Sequence, residues 1–201
     1  KEYYYAVKSL CDEEESSSWS AIRTFRTRCS AVSVPFTESF EYGYDCWTFI
    51  GDNQYVNTNS AQKVSGNLGL SITKATIVSP ELDVTSLADY MLTGKVYAVG
   101  EDVSFGIGVM TDPNEMESFE QISTFTVYKR TTWSEFFFFF SLLNSVDFES
   151  VKDAKYIAIV VGNGTEFFID DLEIVEIPTC LSPSEVYVEN ATTNSCEIRW
   201  Y

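Results

Sequence analysis

The chain has 201 residues, 45% of them apolar, and carries 30 acidic against 13 basic residues for a net charge of −17. That composition sustains a folded core and excludes global disorder, while the missing basic footprint excludes a nucleic-acid binder and disfavours anionic membranes. Histidine is absent altogether, which removes the commonest general base and the commonest imidazole metal ligand.

The chain opens on KEYYYAVKSL, a strand pattern, followed by the acidic, serine-rich turn CDEEESSS and a second strand in WSAIRTFRT. An isolated hairpin of this kind is marginal in water, so residues 1–29 form part of a domain. No initiator methionine or signal peptide opens the chain, so any export signal is expected to lie outside this segment. Five cysteines, Cys11, Cys29, Cys46, Cys180 and Cys196, include no CxxC pair and hence no zinc site. Their odd number fits a segment of a longer, exported chain, with connectivity left open.

From residue 30 to residue 180 short β-patterned runs alternate with turn chemistry. AVSVPFTESF, GLSITKATIVSP, KVYAV, SFGIGVM, QISTFTVYK, FFFFFSLL, KYIAIVV and EFFIDDLEIV are separated by GDN, SGN, TDPNE and GNG. Such spacing with hardly any helical periodicity predicts an all-β, antiparallel sandwich; ESVKDA, before KYIAIVV, supplies at most a single helical turn. The FFFFFSLL run is far shorter than the ~20 residues of a membrane-spanning helix and reads as a strand buried on both faces. Residues 181–201 add two more short strands and end on Trp200-Tyr201.

The paired Asp170 and Asp171 stand inside a strand, where Asp is depleted and a buried carboxylate needs compensation. Unbroken alternation puts Phe168, Asp170, Leu172 and Ile174 on one face, and makes Asp170 the buried member of the pair. Near the other end of the segment TESFE supplies Glu38 and Glu41. Two accounts stay open: these acids converge with Asp170 on a cation, or Asp170 accepts hydrogen bonds from the amides of a crossing loop. A sugar platform is also possible around Trp47 and the polar loop with Asp52, Asn53, Tyr55 and Asn57, unless Trp47 packs in the core beneath Cys46. No G-x-S-x-G elbow, Cys-His pair or phosphate-cradling loop is present, so no catalytic residue is assigned. Asn163-Gly-Thr and Asn190-Ala-Thr match the glycosylation sequon and serve equally as turns.

Six motifs in order, PFTESFEYGYDCW, IVSPELDV, GIGVMTDPNEMESFEQI, TTWSEFFF, KYIAIVV and FFIDDLEI, resemble the cleaved adhesin or choice-of-anchor jelly-roll domains of large secreted and surface proteins of Bacteroidota, relatives of the MAM domain. The resemblance covers residues 30–180. The tyrosine-rich opening with its Ser-Trp-Ser and Phe-x-Thr-x-Cys ending resembles the last strands of a fibronectin type III domain. Pro183, Val186, Val188, the Thr-Asn-Ser turn, Ile198 and Trp200 resemble the first strands of the next one. The resemblance implies a jelly-roll sandwich in which the first and last strands adjoin. It also implies a structural calcium ion held by Glu38 or Glu41 together with Asp170, backbone carbonyls completing roughly six to eight oxygens. By that likeness the chain is a non-catalytic, secreted or cell-surface module that adheres to a glycan or a host-cell protein and spaces its neighbouring modules. A carbohydrate-binding module attached to a secreted glycan-degrading or proteolytic enzyme, and a purely structural spacer, are the rival readings.

Overall fold

A computed structural model describes residues 2–11, 15–26, 29–51, 56–128, 132–162, 166–180 and 186–199. Its regular structure is β-sheet interrupted only by short 3-10 turns. One turn spans Val146–Val151 and overlaps the stretch, residues 149–154, where the sequence allowed a single helical turn. No helix among the described residues is long and apolar enough to cross a membrane.

Two sheets face each other. The first runs, in spatial order, β10 (Phe119–Val127), β9 (Val103–Met110), β12 (Tyr156–Val161), β7 (Ala75–Val78) and β4 (Thr48–Ile50). The second runs β11 (Ser134–Phe139), β8 (Tyr90–Ala98), β13 (Phe167–Glu176), β6 (Gly69–Ile72) and β5 (Val56–Asn59). β3 (Phe36–Glu38) also pairs with β13, so the first and last strands of the sandwich lie side by side. All pairings between these strands are antiparallel, and the architecture is a jelly-roll β-sandwich.

Side-chain alternation builds the core. Leu92, Val96 and Ala98 of β8 and Val103, Phe105, Ile107 and Val109 of β9 all point inward. Phe105 sits among Phe125, Phe136 and Phe167, with ring centroids 5.5, 5.4 and 5.1 Å away. Each such buried side chain contributes roughly 1.5–3 kcal/mol of hydrophobic stabilisation. Gly94 is part of the fit, because a Cβ there would stand 2.7 Å from Leu172 and 2.8 Å from Phe136.

The phenylalanine run departs from expectation. Strand β11 ends at Phe139, and a 3-10 turn covers Phe140–Asn144. Phe136, Phe138 and Phe140 are buried, but Phe137 is 57% exposed. β11 occupies the end of its sheet, so only one face is covered and its outer edge has no strand neighbour among the described residues.

At the chain's two ends stand separate hairpins, β1 (Glu2–Tyr5) with β2 (Arg23–Arg26) and β14 (Tyr187–Glu189) with β15 (Glu197–Arg199). Tyr3, Tyr4, Tyr5, Phe25, Val188 and Ile198 are exposed on them, as befits ribbons with no second layer among the described residues. Pro183 and Trp200 lie outside the described residues. Cys29 is bonded to Cys46, with Cα atoms 5.7 Å apart; Cys11, Cys180 and Cys196 are exposed and not part of that bridge.

Candidate functional site

One edge of β13 is shared end to end by two strands. β6 pairs with Phe167, Phe168 and Ile169, and β3 pairs with Leu172, Glu173 and Ile174. Asp170 and Asp171 fill the gap between them. Opposite, on β8, the register slips between Asp170 and Glu173, and Asp171 takes a left-handed φ of 47°. This bulge corrects the unbroken alternation expected from sequence: Phe167, Ile169, Leu172 and Ile174 all reach the core. Asp is among the few residues that tolerate the left-handed region, which explains its use at this point.

Asp170 is wholly buried. Its Oδ2 accepts the Val64 amide at 2.7 Å and the Ser65 amide at 3.4 Å, while Oδ1 accepts the Asp171 amide at 2.8 Å. Ser65 Oγ donates to Asp171 Oδ1 at 2.6 Å. Burial pushes the Asp170 carboxyl above the ordinary carboxylate range; the Val64, Asp171 and Ser65 amides pull the other way, and the Asp171 charge adds to the rise. Glu41 clasps the same crossing loop from outside, its Oε1 accepting the Asn67 and Leu68 amides at 2.7 Å each and its Oε2 the Asn67 side-chain amide at 3.3 Å. The Leu68 and Asn67 amides hold its carboxyl below the usual range. Glu38 turns the other loop: Oε1 accepts the Phe40 amide at 2.8 Å and Oε2 accepts Trp47 Nε1 at 3.1 Å.

All six carboxylate oxygens of Glu38, Glu41 and Asp170 therefore accept at least one N–H donor. No group of three His, Cys, Asp or Glu among the described residues could hold a metal ion. A calcium ion here would need oxygens that converge on it in addition to these N–H contacts. The arrangement is a polar clasp that closes two loops over a gap in the ladder.

Of the two placements left open for Trp47, the structure shows the one in the core. Trp47 is 7% exposed, packed on Phe40 at 5.6 Å and tied to Glu38, because the Cys29–Cys46 bridge beside it folds the loop inward. Asn57 is exposed on the edge strand β5, whereas Asp52, Asn53 and Tyr55 lie outside the described residues.

A feature not singled out from sequence stands at the opposite edge. There β10 ends and β11 begins, each the last strand of its sheet, and a cleft of about 350 Å³ opens between them. Phe105, Phe125 and Phe136 line it together with Thr126, Tyr128, Trp133 and Glu135. The only trace in the sequence is the pair of aromatics flanking the connection in VYKRTTW.

The fold is an all-β, antiparallel sandwich, and solved structures that share it include adhesin and carbohydrate-binding domains. More particularly, it has the fold of the K1 cleaved adhesin domain of Lys-gingipain from Porphyromonas gingivalis W83. That likeness has a TM-score of 0.56 and 16% identity, and covers 72% of this chain and 99% of that one. The K3 domain of the same protein matches with a TM-score of 0.53 and 16% identity, covering 70% and 98%. The C-terminal family 22 carbohydrate-binding module of Clostridium thermocellum Xyn10B matches at 0.51 and 13%, covering 73% and 95%. No family model matches the sequence, and no curated protein matches it.

Proposed function

We propose that this chain is a non-catalytic binding module of a secreted or cell-surface protein, acting in adhesion through a glycan or a cell-surface protein ligand. The observation that carries this reading is a single fold shared with adhesin domains and with a carbohydrate-binding module. A disulfide in the sandwich supports an oxidising, extracellular setting. The absence of histidine and of any nucleophile motif supports a role without catalysis.

In this reading residues 30–180 are the binding sandwich, and residues 1–29 and 181–201 are strands of flanking fibronectin type III-like domains that space it from its neighbours. The exposed apolar faces of both end hairpins favour such partners, which would cover them. A calcium ion held by Glu38 or Glu41 together with Asp170 belongs to the proposal through the family resemblance alone. Excess chelator lowers the melting temperature if such an ion holds the junction, and leaves it unchanged if the N–H clasps suffice.

The test of the main reading is an array of glycans and host-cell proteins probed with the full chain. Selective hits in either class are expected. A blank array from folded protein would refute binding and leave the spacer role.

A further inference from the structure

We infer that strand β11 is the edge through which two copies of this chain join into one continuous sheet. The inference is independent of which ligand the module takes. An open strand edge invites pairing, and folded proteins blunt it with short strands, polar residues, bulges or a covering segment. Among the described residues, every open edge but one carries such a device. β3 and β4 have three residues each, β5 has four of which two are asparagine, and β10 slips register between Gln121 and Ser123. β11 is the exception. Its residues, Ser134–Phe139, pair with β8 without a break and include no proline, lysine or arginine. Its one charge, Glu135, is held by Lys95 of β8. At the end away from the β10–β11 connection, Phe137 and Phe139 share the outer face with ring centroids 5.8 Å apart, and Phe137 is 57% exposed. Phe139 stands beside Met91 and Met91 beside Val175, so the apolar surface continues across β8 to β13.

The strand's own sequence names the second copy as its partner. Two antiparallel strands related by a two-fold axis set opposite residues on the same face, and a closed pair of this kind stops at two. Centred on Phe137, the pairing is self-complementary from Glu135 to Phe139. Phe137 meets Phe137 of the second copy on the outer face, Phe136 meets Phe138 on the inner one, and Glu135 meets Phe139. Aromatic pairs placed opposite one another are among those that stabilise a sheet. A shift of one residue would set buried Phe136 against exposed Phe137 and turn one copy inside out. A register with Glu135 on Glu135 would set like charges together. In the centred register the two glutamates stand about 13 Å apart along the strand, beyond a Debye length of about 8 Å. A peptide of unrelated sequence would gain the backbone pairing alone, whereas a second β11 adds a matched side chain at every rung.

The experiment is sedimentation equilibrium of the full chain with Cys11, Cys180 and Cys196 changed to serine, so that disulfide-linked dimers do not count. About 0.15 M salt screens the repulsion between two chains of net charge −17. The expected result is a monomer–dimer equilibrium within roughly 5 μM to 1 mM protein, the range of a small, reversible interface. Phe137→Lys sets two ammonium groups face to face and is expected to weaken it about ten-fold or more. Tyr3→Lys, which removes an exposed aromatic from the first hairpin, is expected to leave it unchanged. Amide exchange on the unsubstituted strand reads the same contact: protection at residues 134–139 rises with concentration, while β5 and β10 do not change. That measurement carries the test if Phe137→Lys fails to fold. A monomer throughout the range would overturn the inference. So would a dimer that Phe137→Lys leaves intact or Tyr3→Lys abolishes, growth beyond two copies, or protection rising at another edge in place of β11.

Discussion

Replacing Asp170 with alanine isolates the clasp in one substitution. The carboxylate accepts two short amide bonds, from Val64 at 2.7 Å and Asp171 at 2.8 Å, and a longer one from Ser65 at 3.4 Å. Each buried donor left unpaired costs about 1–3 kcal/mol, so the two short bonds together represent roughly 2–6 kcal/mol. Removing a desolvated charge offsets part of that loss, leaving an expected destabilisation of about 2–4 kcal/mol. Urea unfolding at neutral pH measures it, and amide exchange at Val64 and Asp171 locates it. Asp170→Asn is the companion: it keeps one acceptor, turns an amide donor toward an N–H, and no longer titrates. Because burial raises the folded-state pKa of Asp170, the proton-linked part of its contribution is fully present below the ordinary carboxylate pKa and is lost as pH rises through the raised value, on top of the amide bonds measured at neutral pH. The stability gap between the native chain and Asp170→Asn therefore widens in mild acid. A loss below about 1 kcal/mol for the alanine variant, with exchange at Val64 unchanged, would refute the clasp.

Glu41 shows the opposite pH dependence. Its pKa is depressed by the Leu68 and Asn67 amides, so its stabilisation is present above the ordinary carboxylate pKa and is lost as pH falls through the lowered value; Glu41→Gln flattens that acid limb in a pH series of melts. Gly66→Ala is expected to cost roughly 1–3 kcal/mol in urea unfolding, since φ is 56° and the new Cβ would stand 2.4 Å from the Glu41 carboxyl carbon. Phe105→Ala, at the centre of the aromatic core, is expected to lose about 3–5 kcal/mol in the same assay.

What the sequence disclosed was local. The strands around Leu92, Val96 and Ala98, or Ile157, Ile159 and Val161, show in their own residues which side is buried. Phe36 to Glu38 found its place beside β13 through the family resemblance, since no local pattern names a strand's neighbour. Three features depended on distant chain and stayed hidden. The bulge at Asp171 depends on β6 stopping where β3 starts. The exposure of Phe137 depends on β11 being last in its sheet. For Trp47 the sequence left a sugar platform and a place in the core both open, and the bridge to Cys29 and the Glu38 carboxylate decide for the core. Asp170 was legible as a buried acid, but its partners, 105 and 106 residues away in sequence, were not.

The Cys29–Cys46 bridge also sets how the sandwich bears load. β3 lies inside the loop that this bond closes, so tension entering from residues before Cys29 passes through the bridge to Cys46 and leaves β3 slack. The pull then enters the sandwich beside β4 and leaves it from the end of β13, two strands that stand in different sheets. The β3–β13 ladder and the carboxylate clasps at Glu38 and Asp170 are thereby kept out of the direct path of force by one covalent bond.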